Sequence, residues 1–209
     1  MGVREALKFY YLNSDGIERP MRTLVALAGV ALLVSASAAP VPVEIQAKEL
    51  IVNGSFEEGP AVTEWIWVDE KSEKIKGWVV VHGQIDYIGT LWKASDGKRS
   101  LDLHGSPGYG GVKQTIKTEK GRTYRVTFDM AGTPGGIPAK KSIEVSAGKL
   151  RKSFEFDSTG MTNEKMGWAK QSWDFKAEEA ETVLEFATAE KVDPNQGPAL
   201  DNVSVKLFK

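Results

Sequence analysis

Apolar and polar residues alternate with a period of two along most of the chain after residue 49. In the stretch RTYRVTFDMAG, one face carries Tyr124, Val126, Phe128 and Met130, and the other carries charged and hydroxyl side chains. This period is the pattern of a β-strand with one buried face, and no stretch has the period of a long amphipathic helix. Ten further stretches show it: TEWIWV, GWVVVHG, QIDYIG, RSLDLHG, GVKQTI, KSIEVSAG, RKSFEFD, QSWDFKA, TVLEFAT and NVSVKLF. The sequence therefore predicts an all-β fold.

Segments rich in glycine and proline separate these stretches, as in HGSPGYGG, AGTPGGIP and DPNQGP. Many short strands with turn signals between them are typical of a β-sandwich, here of the jelly-roll type with Greek-key connections. The length of 209 residues suits one domain with a tail. We assign residues 49–209 to a single β-sandwich domain.

The amino-terminal region has the layout of a secretory signal. Arg22 precedes an apolar run over residues 24–34, and small residues follow up to Ala38. This run is shorter than the ~20 residues that span a bilayer. We predict a signal region over residues 1–38, in which residues 1–20 precede a second methionine and are a long leader or a mis-assigned start. Residues 39–48 are predicted to be a short flexible segment. The mature protein is then expected outside the cytoplasm, without a membrane segment.

The net charge and the cysteine content bear on the possible binding partners and on how the domain is stabilised. The net charge of −1 gives no basic surface for nucleic acid. The chain has no cysteine, so an exported domain of this kind must be stabilised by its core or by a metal ion instead of disulfides.

Two acidic stretches, NGSFEEGP and GPALDNV, lie near the two ends of the predicted domain. If a first strand ELIVNGSFE pairs antiparallel with the last strand, Glu57 and Asp201 become neighbours. Two adjacent carboxylates repel each other unless a cation lies between them, and Ca²⁺ prefers such oxygen ligands. We therefore predict a structural Ca²⁺ held by Glu57, Asp201 and loop carbonyls. The alternative is that both are ordinary turn and strand-end acids.

Four stretches of the chain resemble the choice-of-anchor C proteins, which are bacterial members of domain-of-unknown-function family 642 (DUF642). These stretches are NGSFEEGP, IKGWVVVHGQIDYIGTLWKASDGKRSLDLHG, GGVKQTIKTEKGRTYRVTFDMAG and GPALDNV. The resemblance spans nearly the whole predicted mature chain. It implies a galactose-binding-like jelly roll, secretion, and association with cell-wall or extracellular polysaccharide. Related carbohydrate-binding modules hold a calcium ion between a Glu after the first strand and an Asp opening the last, and Glu57 and Asp201 match those positions.

Sugars pack their C–H faces on aromatic rings and bind fixed polar groups through their hydroxyls. Residues 84–109 contain that mixture, and the predicted ligand-binding residues are Asp86, Tyr87, Trp92, Arg99, His104 and Tyr109. Trp92 lies in a predicted loop, so it has the best expected exposure, whereas the other tryptophans are expected in the core. Asp86 could equally be a strand-end residue, and His104 a rim residue with satisfied hydrogen bonds.

No catalytic motif stands out. The chain has no GxSxG stretch, and its two histidines, His82 and His104, lack the spacing of a zinc site. We predict a secreted, non-catalytic carbohydrate-binding module. The alternatives are an extracellular protein-interaction or matrix domain that docks a wall enzyme or other partner and, with less support, a glycan-active enzyme.

Overall fold

A computed structural model describes residues 10–12, 16, 18–20, 47–189, 191, 193 and 195–209. The chain forms two compact units, Met1–Glu44 and Ile45–Lys209. In the first unit, β1 (Tyr10–Leu12) pairs antiparallel with β2 (Glu18–Pro20). The predicted signal residues 21–38, and residues 39–46 of the predicted flexible segment, lie outside the described residues. Nowhere in the described ranges is there a helix with the length and apolar character needed to cross a bilayer.

The described part of the second unit contains eleven strands in two antiparallel sheets. The five-stranded sheet has the order β10 (Leu150–Asp157), β9 (Lys140–Ala147), β12 (Glu181–Thr188), β7 (Gly111–Lys117) and β4 (Val79–Val81). The six-stranded sheet has the order β11 (Ala169–Lys176), β8 (Thr123–Gly132), β13 (Pro198–Leu207), β6 (Ser100–Asp102), β5 (Ile85–Ile88) and β3 (Trp65–Val68). The prediction of an all-β sandwich is confirmed, and each of the eleven predicted stretches overlaps one of these strands.

The core lies between the two sheets and is rich in aromatic rings. Phe128 of β8 lies 5.0 Å from Phe154 of β10 and 5.1 Å from Phe186 of β12, measured between ring centroids. Trp78 and Phe56 pack beside them with centroids 5.3 Å apart. All five rings are buried, and each large apolar side chain removed from water contributes about 1.5–3 kcal/mol.

The outer face of β8 in the six-stranded sheet is partly exposed in its first half and buried in its second half. The first half of β8 alternates as predicted, with Val126 buried and Arg125 partly exposed. In the second half both faces are buried, including Asp129 and Ala131 on the outer face. The reason is a second apolar cluster, which brings residues of the β5–β6 and β10–β11 loops onto this end of the sheet.

The predicted first strand over residues 49–57 is wrong. In its place the chain makes a single bridge between Glu49 and Lys206 and then runs irregularly, because Asn53 and Phe56 adopt positive φ angles of 58° and 59°. The segment still follows the last strand, since the Val203 amide donates to the Gly54 carbonyl at 2.9 Å. The two ends of the sandwich therefore lie side by side, as expected, without forming a regular strand pair.

Candidate ligand-binding site

A cleft of about 280 Å³ lies on the outer face of the six-stranded sheet. Its floor comes from three neighbouring strands, because Asp86 of β5 lies opposite both Trp67 of β3 and Asp102 of β6. Trp65 lies two residues before Trp67 and so points to the same face of the sheet. The lining residues are Trp65, Asp86, Ile88, Leu91, Trp92, Asp102, Ser106, Thr133, Pro134, Asn163, Asn195 and Gln196.

One wall of the cleft contains the ring of Trp92, and Trp168 supports the same apolar cluster from outside the cleft. Trp92 is buried among Ile88, Met166 and Ala199 in the second apolar cluster, and its Nε1 donates to Ser100 Oγ at 2.8 Å. Trp168 packs against the same cluster, and its Nε1 donates to the Lys93 carbonyl at 2.9 Å. Both indole N–H groups are therefore satisfied within the protein, which holds this wall in one position.

Asp102 is a structural part of the floor. Its carboxylate accepts from the amides of His104 at 2.9 Å and Gly197 at 3.0 Å, and from Thr133 Oγ1 at 2.5 Å. Gly197 is required there, because a Cβ at this position would meet Asp102 and the His104 ring. The pKa of Asp102 is raised to about 7, chiefly by burial and in part by the nearby charge of Asp86, against its hydrogen bonds, which lower it.

Asp86 is also buried but has fewer partners. It accepts from the Ser106 amide at 3.2 Å and from Ser106 Oγ at 2.6 Å. Burial raises the pKa of Asp86 to about 6, although both of these hydrogen bonds lower it. A carboxylate has about four lone-pair sites, so Asp86 retains accepting capacity that can be directed to a ligand in the cleft.

The six predicted ligand-binding residues do not form one site. Asp86 and Trp92 line the cleft, but the predicted exposure of Trp92 is wrong, since only 4% of its surface is accessible. The β5–β6 loop folds back onto the sheet and uses this ring as its anchor. Tyr87 is fully buried on the core side, and its hydroxyl donates to the Phe56 carbonyl at 2.6 Å.

The other three predicted residues lie apart from the cleft floor. Arg99 lines a neighbouring hollow of about 340 Å³ that shares Leu91 and Trp92 with the cleft. His104 is buried, and its ring nitrogens lie 2.8 Å from the Asp193 carbonyl and from Thr188 Oγ1. Tyr109 packs edge-on against His104. His104 therefore has satisfied hydrogen bonds, as the alternative expected, but it is buried and does not lie at a rim.

Tyr109 also lines a groove of about 650 Å³ on the five-stranded sheet. Four ionisable side chains of this groove are paired, with His82 Nε2 2.8 Å from Glu185 and Arg151 3.1 Å from Glu144, and Lys191 adds a further cation. The cleft on the six-stranded sheet instead combines the indole ring of Trp65 with polar side chains, and none of its lining residues is Lys or Arg. We therefore take the cleft as the candidate site.

Sequence reasoning missed Trp65 as a site residue and assigned it to the core. The signal was the WIWV stretch itself, in which Trp65 and Trp67 share one face and Ile66 and Val68 the other. An aliphatic core face leaves the two rings on the outer face, where 58% of Trp67 is accessible and Trp65 is half-buried.

Glu57 and Asp201 contact the same loop from two sides. Glu57 Oε1 accepts from the amides of Lys98 at 2.6 Å and Arg99 at 2.8 Å. Asp201 Oδ2 accepts from the amides of Ser95 at 2.8 Å and Asp96 at 2.9 Å. The loop over residues 95–99 therefore joins the two acids.

The predicted Ca²⁺ at these two acids stays a prediction. Burial raises the pKa of Asp201 to about 7, against the amide hydrogen bonds that lower it, so a cation beside this carboxylate would relieve an energetic cost. Ser55 Oγ donates to Asp96 Oδ2 of this loop at 2.5 Å, so these two side chains place further oxygen atoms near the loop. No group of three or more His, Cys, Asp or Glu side chains within the described residues could hold a metal. Backbone carbonyls, hydroxyls or water would have to complete such a site.

Comparison with known proteins places the chain in a family. Residues 49–206 match the family described as "Protein of unknown function (DUF642)". Halomucin of Haloquadratum walsbyi is 28% identical over 191 residues, which cover 87% of this chain and 2% of that protein. Protein DUF642 L-GALACTONO-1,4-LACTONE-RESPONSIVE GENE 1 of Arabidopsis thaliana is 25% identical over 178 residues, which cover 78% of this chain and 47% of that protein. The chain thus spans less than half the length of these relatives.

A solved structure has a similar fold. The structure of TmCBM61 in complex with beta-1,4-galactotriose superposes with a TM-score of 0.50 at 19% identity, over 78% of this chain and 100% of that chain. The sandwich is therefore shared with a carbohydrate-binding module. Because the family match covers most of its length, this chain belongs to the DUF642 family.

Proposed function

We propose that this chain is a non-catalytic glycan-binding module that is exported and associates with cell-wall or extracellular polysaccharide. The observation that carries the proposal is the cleft, where the half-buried ring of Trp65 lies near Asp86, Asn163 and Asn195. A pyranose has an apolar C–H face and a rim of hydroxyls, so an indole ring beside polar side chains suits it. A volume of about 280 Å³ is at the small end for ligand pockets and suits one or two sugar units.

The relatives are consistent with this proposal. TmCBM61 shares the sandwich, and its structure contains beta-1,4-galactotriose. Since one fold hosts many functions, the cleft carries more weight than the shared fold. Export is supported by the signal-like residues 22–38.

Binding to a glycan panel tests this function. The full chain is titrated with β-1,4-galactotriose, cellotriose and xylotriose, and retardation is measured in gels that contain the corresponding polysaccharides. Trp65→Ala is expected to weaken binding at least tenfold, because it removes the ring on which a sugar would pack. The matched control is Phe208→Ala, which removes a 40% accessible ring just beyond the opposite end of β13 and should leave binding unchanged.

The outcomes separate the three candidate functions. Equal loss of binding in the two variants would contradict a site in the cleft. Indifference of the wild-type chain to every glycan would favour an extracellular protein-interaction domain. Release of reducing ends from any glycan, lost on substitution of one carboxylate, would favour an enzyme.

A structural Ca²⁺ at Glu57 and Asp201 is the second part of the proposal. It is supported by the convergence of both carboxylates on the loop over residues 95–99 and by the burial of Asp201. The ion would tie the start of the sandwich to its last strand and would stabilise the fold without contacting the sugar.

Thermal unfolding in Ca²⁺ and in chelator tests the metal site independently of any glycan. A ligand at 100 times its Kd stabilises the folded state by about 2.7 kcal/mol, so Ca²⁺ should raise the Tm of the wild-type chain by several degrees. Glu57→Gln should abolish that increase. Glu58→Gln should preserve it, because Glu58 makes an exposed ion pair with Lys76 at 2.5 Å. Equal Tm values of the wild type in Ca²⁺ and chelator would contradict the site.

A further inference from the structure

The cleft has two carboxyl groups at its floor and uncharged groups along its walls. Of the described residues that line it, the ionisable ones are Asp86 and Asp102, and none is Lys or Arg. The two acids face each other across β5 and β6. Any group that enters the cleft therefore approaches two buried carboxyl groups.

The two acids differ in what they can offer a ligand. Asp102 already accepts from three donors, His104, Gly197 and Thr133. Asp86 accepts only from Ser106 among its described hydrogen bonds. Asp86 can therefore accept a hydrogen bond from a sugar hydroxyl, and it repels a group that brings a negative charge and no donor.

We propose that the cleft selects uncharged sugar units and rejects uronate units. This inference rests on the glycan-binding function proposed above and specifies the class of sugar. A hydroxymethyl group at C6 can donate to Asp86, whereas a carboxylate at the same carbon can only accept. Two like charges about 6 Å apart, at an effective dielectric constant of about 20, correspond to an affinity loss on the order of a hundredfold. Screening by salt and water reduces that loss.

The neighbouring hollow provides the contrasting case. Its lining contains three cations, Lys93, Lys98 and Arg99, and one acid, Glu164, and it shares Leu91, Trp92 and Asn163 with the cleft. Anionic sugars that bind this chain would be attracted there instead. Substitutions in the cleft and in the hollow therefore show which of the two sites is responsible for any binding of uronates.

The test compares each neutral sugar with its own oxidised form. β-1,4-Galactotriose and cellotriose, and the same trisaccharides with C6 alcohols oxidised to carboxylates, are titrated calorimetrically into the full chain at pH 8. The oxidised forms should bind at least tenfold more weakly. Asp86→Asn should narrow that gap at least threefold, because the amide keeps the shape and removes the charge. Glu155→Gln removes an exposed carboxylate on β10, outside the cleft, and should leave the gap unchanged.

Each remaining outcome has a defined meaning. Equal affinity for neutral and oxidised sugars, or an unchanged gap in Asp86→Asn, would overturn the inference while the proposed function stands. Uronate binding that survives Trp65→Ala and is lost in the Lys98→Ala/Arg99→Ala double variant would assign the bound uronates to the hollow, which agrees with their rejection by the cleft. If the wild type bound none of the panel glycans, the proposed function would fail first, and the inference with it.

Discussion

Replacing Asp86 by Asn should stabilise the protein at high pH and leave it unchanged at low pH. The amide oxygen can accept from the Ser106 amide and the NH₂ group can donate to Ser106 Oγ, so both hydrogen bonds can be rebuilt. Burial raises the pKa of Asp86 from 3.8 to about 6. A raised pKa in the folded state means that the contribution of this group to stability is complete below pH 3.8 and is lost as the pH rises through 6.

The size of the effect follows from the two pKa values. At about 1.4 kcal/mol for each tenfold change in proton affinity, the ionised group costs the wild type about 3 kcal/mol at pH 8. The same linkage gives about 1 kcal/mol at pH 4.5. Asp86→Asn avoids this cost, so its unfolding free energy should exceed that of the wild type by these amounts.

Urea unfolding followed by tryptophan fluorescence measures the difference at each pH. The control is Glu155→Gln, whose carboxylate is exposed and makes an ion pair with Lys140 at 3.5 Å. That variant should show little change between pH 4.5 and pH 8. A difference between Asp86→Asn and the wild type that is independent of pH, or a destabilised variant at pH 8, would refute the reasoning.

Three further substitutions test the structure around the site. Trp92→Ala should lower the unfolding free energy by about 3–5 kcal/mol in urea titrations, because the ring is buried; a loss below 1 kcal/mol would contradict its role as the anchor of its loop. Gly97→Ala should lower the Tm, because its φ of +65° costs an L-residue about 1–2 kcal/mol and a Cβ would meet the Glu57 carboxylate; an unchanged Tm would show that the loop relaxes freely. Asp174→Asn removes the ion pair with Arg125, and in the wild type this ion pair lowers the pKa of Asp174. Calorimetry should therefore find that the variant is less stable than the wild type at pH 7 and that this difference disappears as the pH falls towards 3. A difference that persists at low pH would show that packing, not charge, is the cause.

The strands were predictable from sequence because the two-residue period is a local property. The alternation of Tyr124, Val126, Phe128 and Met130 specifies a strand and its buried face without reference to the rest of the chain. The first predicted strand failed for a reason that the period does not record. Asn53 adopts a left-handed conformation, and its Nδ2 donates to the carbonyls of Glu58 and Lys76 at 2.9 and 3.0 Å. The side chain therefore stabilises a turn where the pattern indicated a strand.

The site was harder to predict because it depends on where loops fold. The stretch GTLWKASDGKRS has loop composition, and loops are mostly exposed, so Trp92 was expected at the surface. The ring instead covers the outer face of the six-stranded sheet, where it packs with Ile88 and Met166. Sequence alone does not show that this face is covered. It also does not show that the WIWV stretch presents Trp65 to a cleft, because periodicity identifies which residues share a face and not which face meets solvent.

The cost of burying Asp86 bears on its role in the protein. A residue that served only to bind Ser106 could be Asn, which would make the same two contacts without the penalty of an ionised buried group. The property that Asn lacks is a charged group that only accepts hydrogen bonds and faces the cleft. Under the proposed function, Asp86 would recognise hydroxyl donors, in the way that binding sites often give up stability for function. A stabilised Asp86→Asn variant that still separated neutral from oxidised sugars as the wild type does would break this link and leave the buried charge without a role.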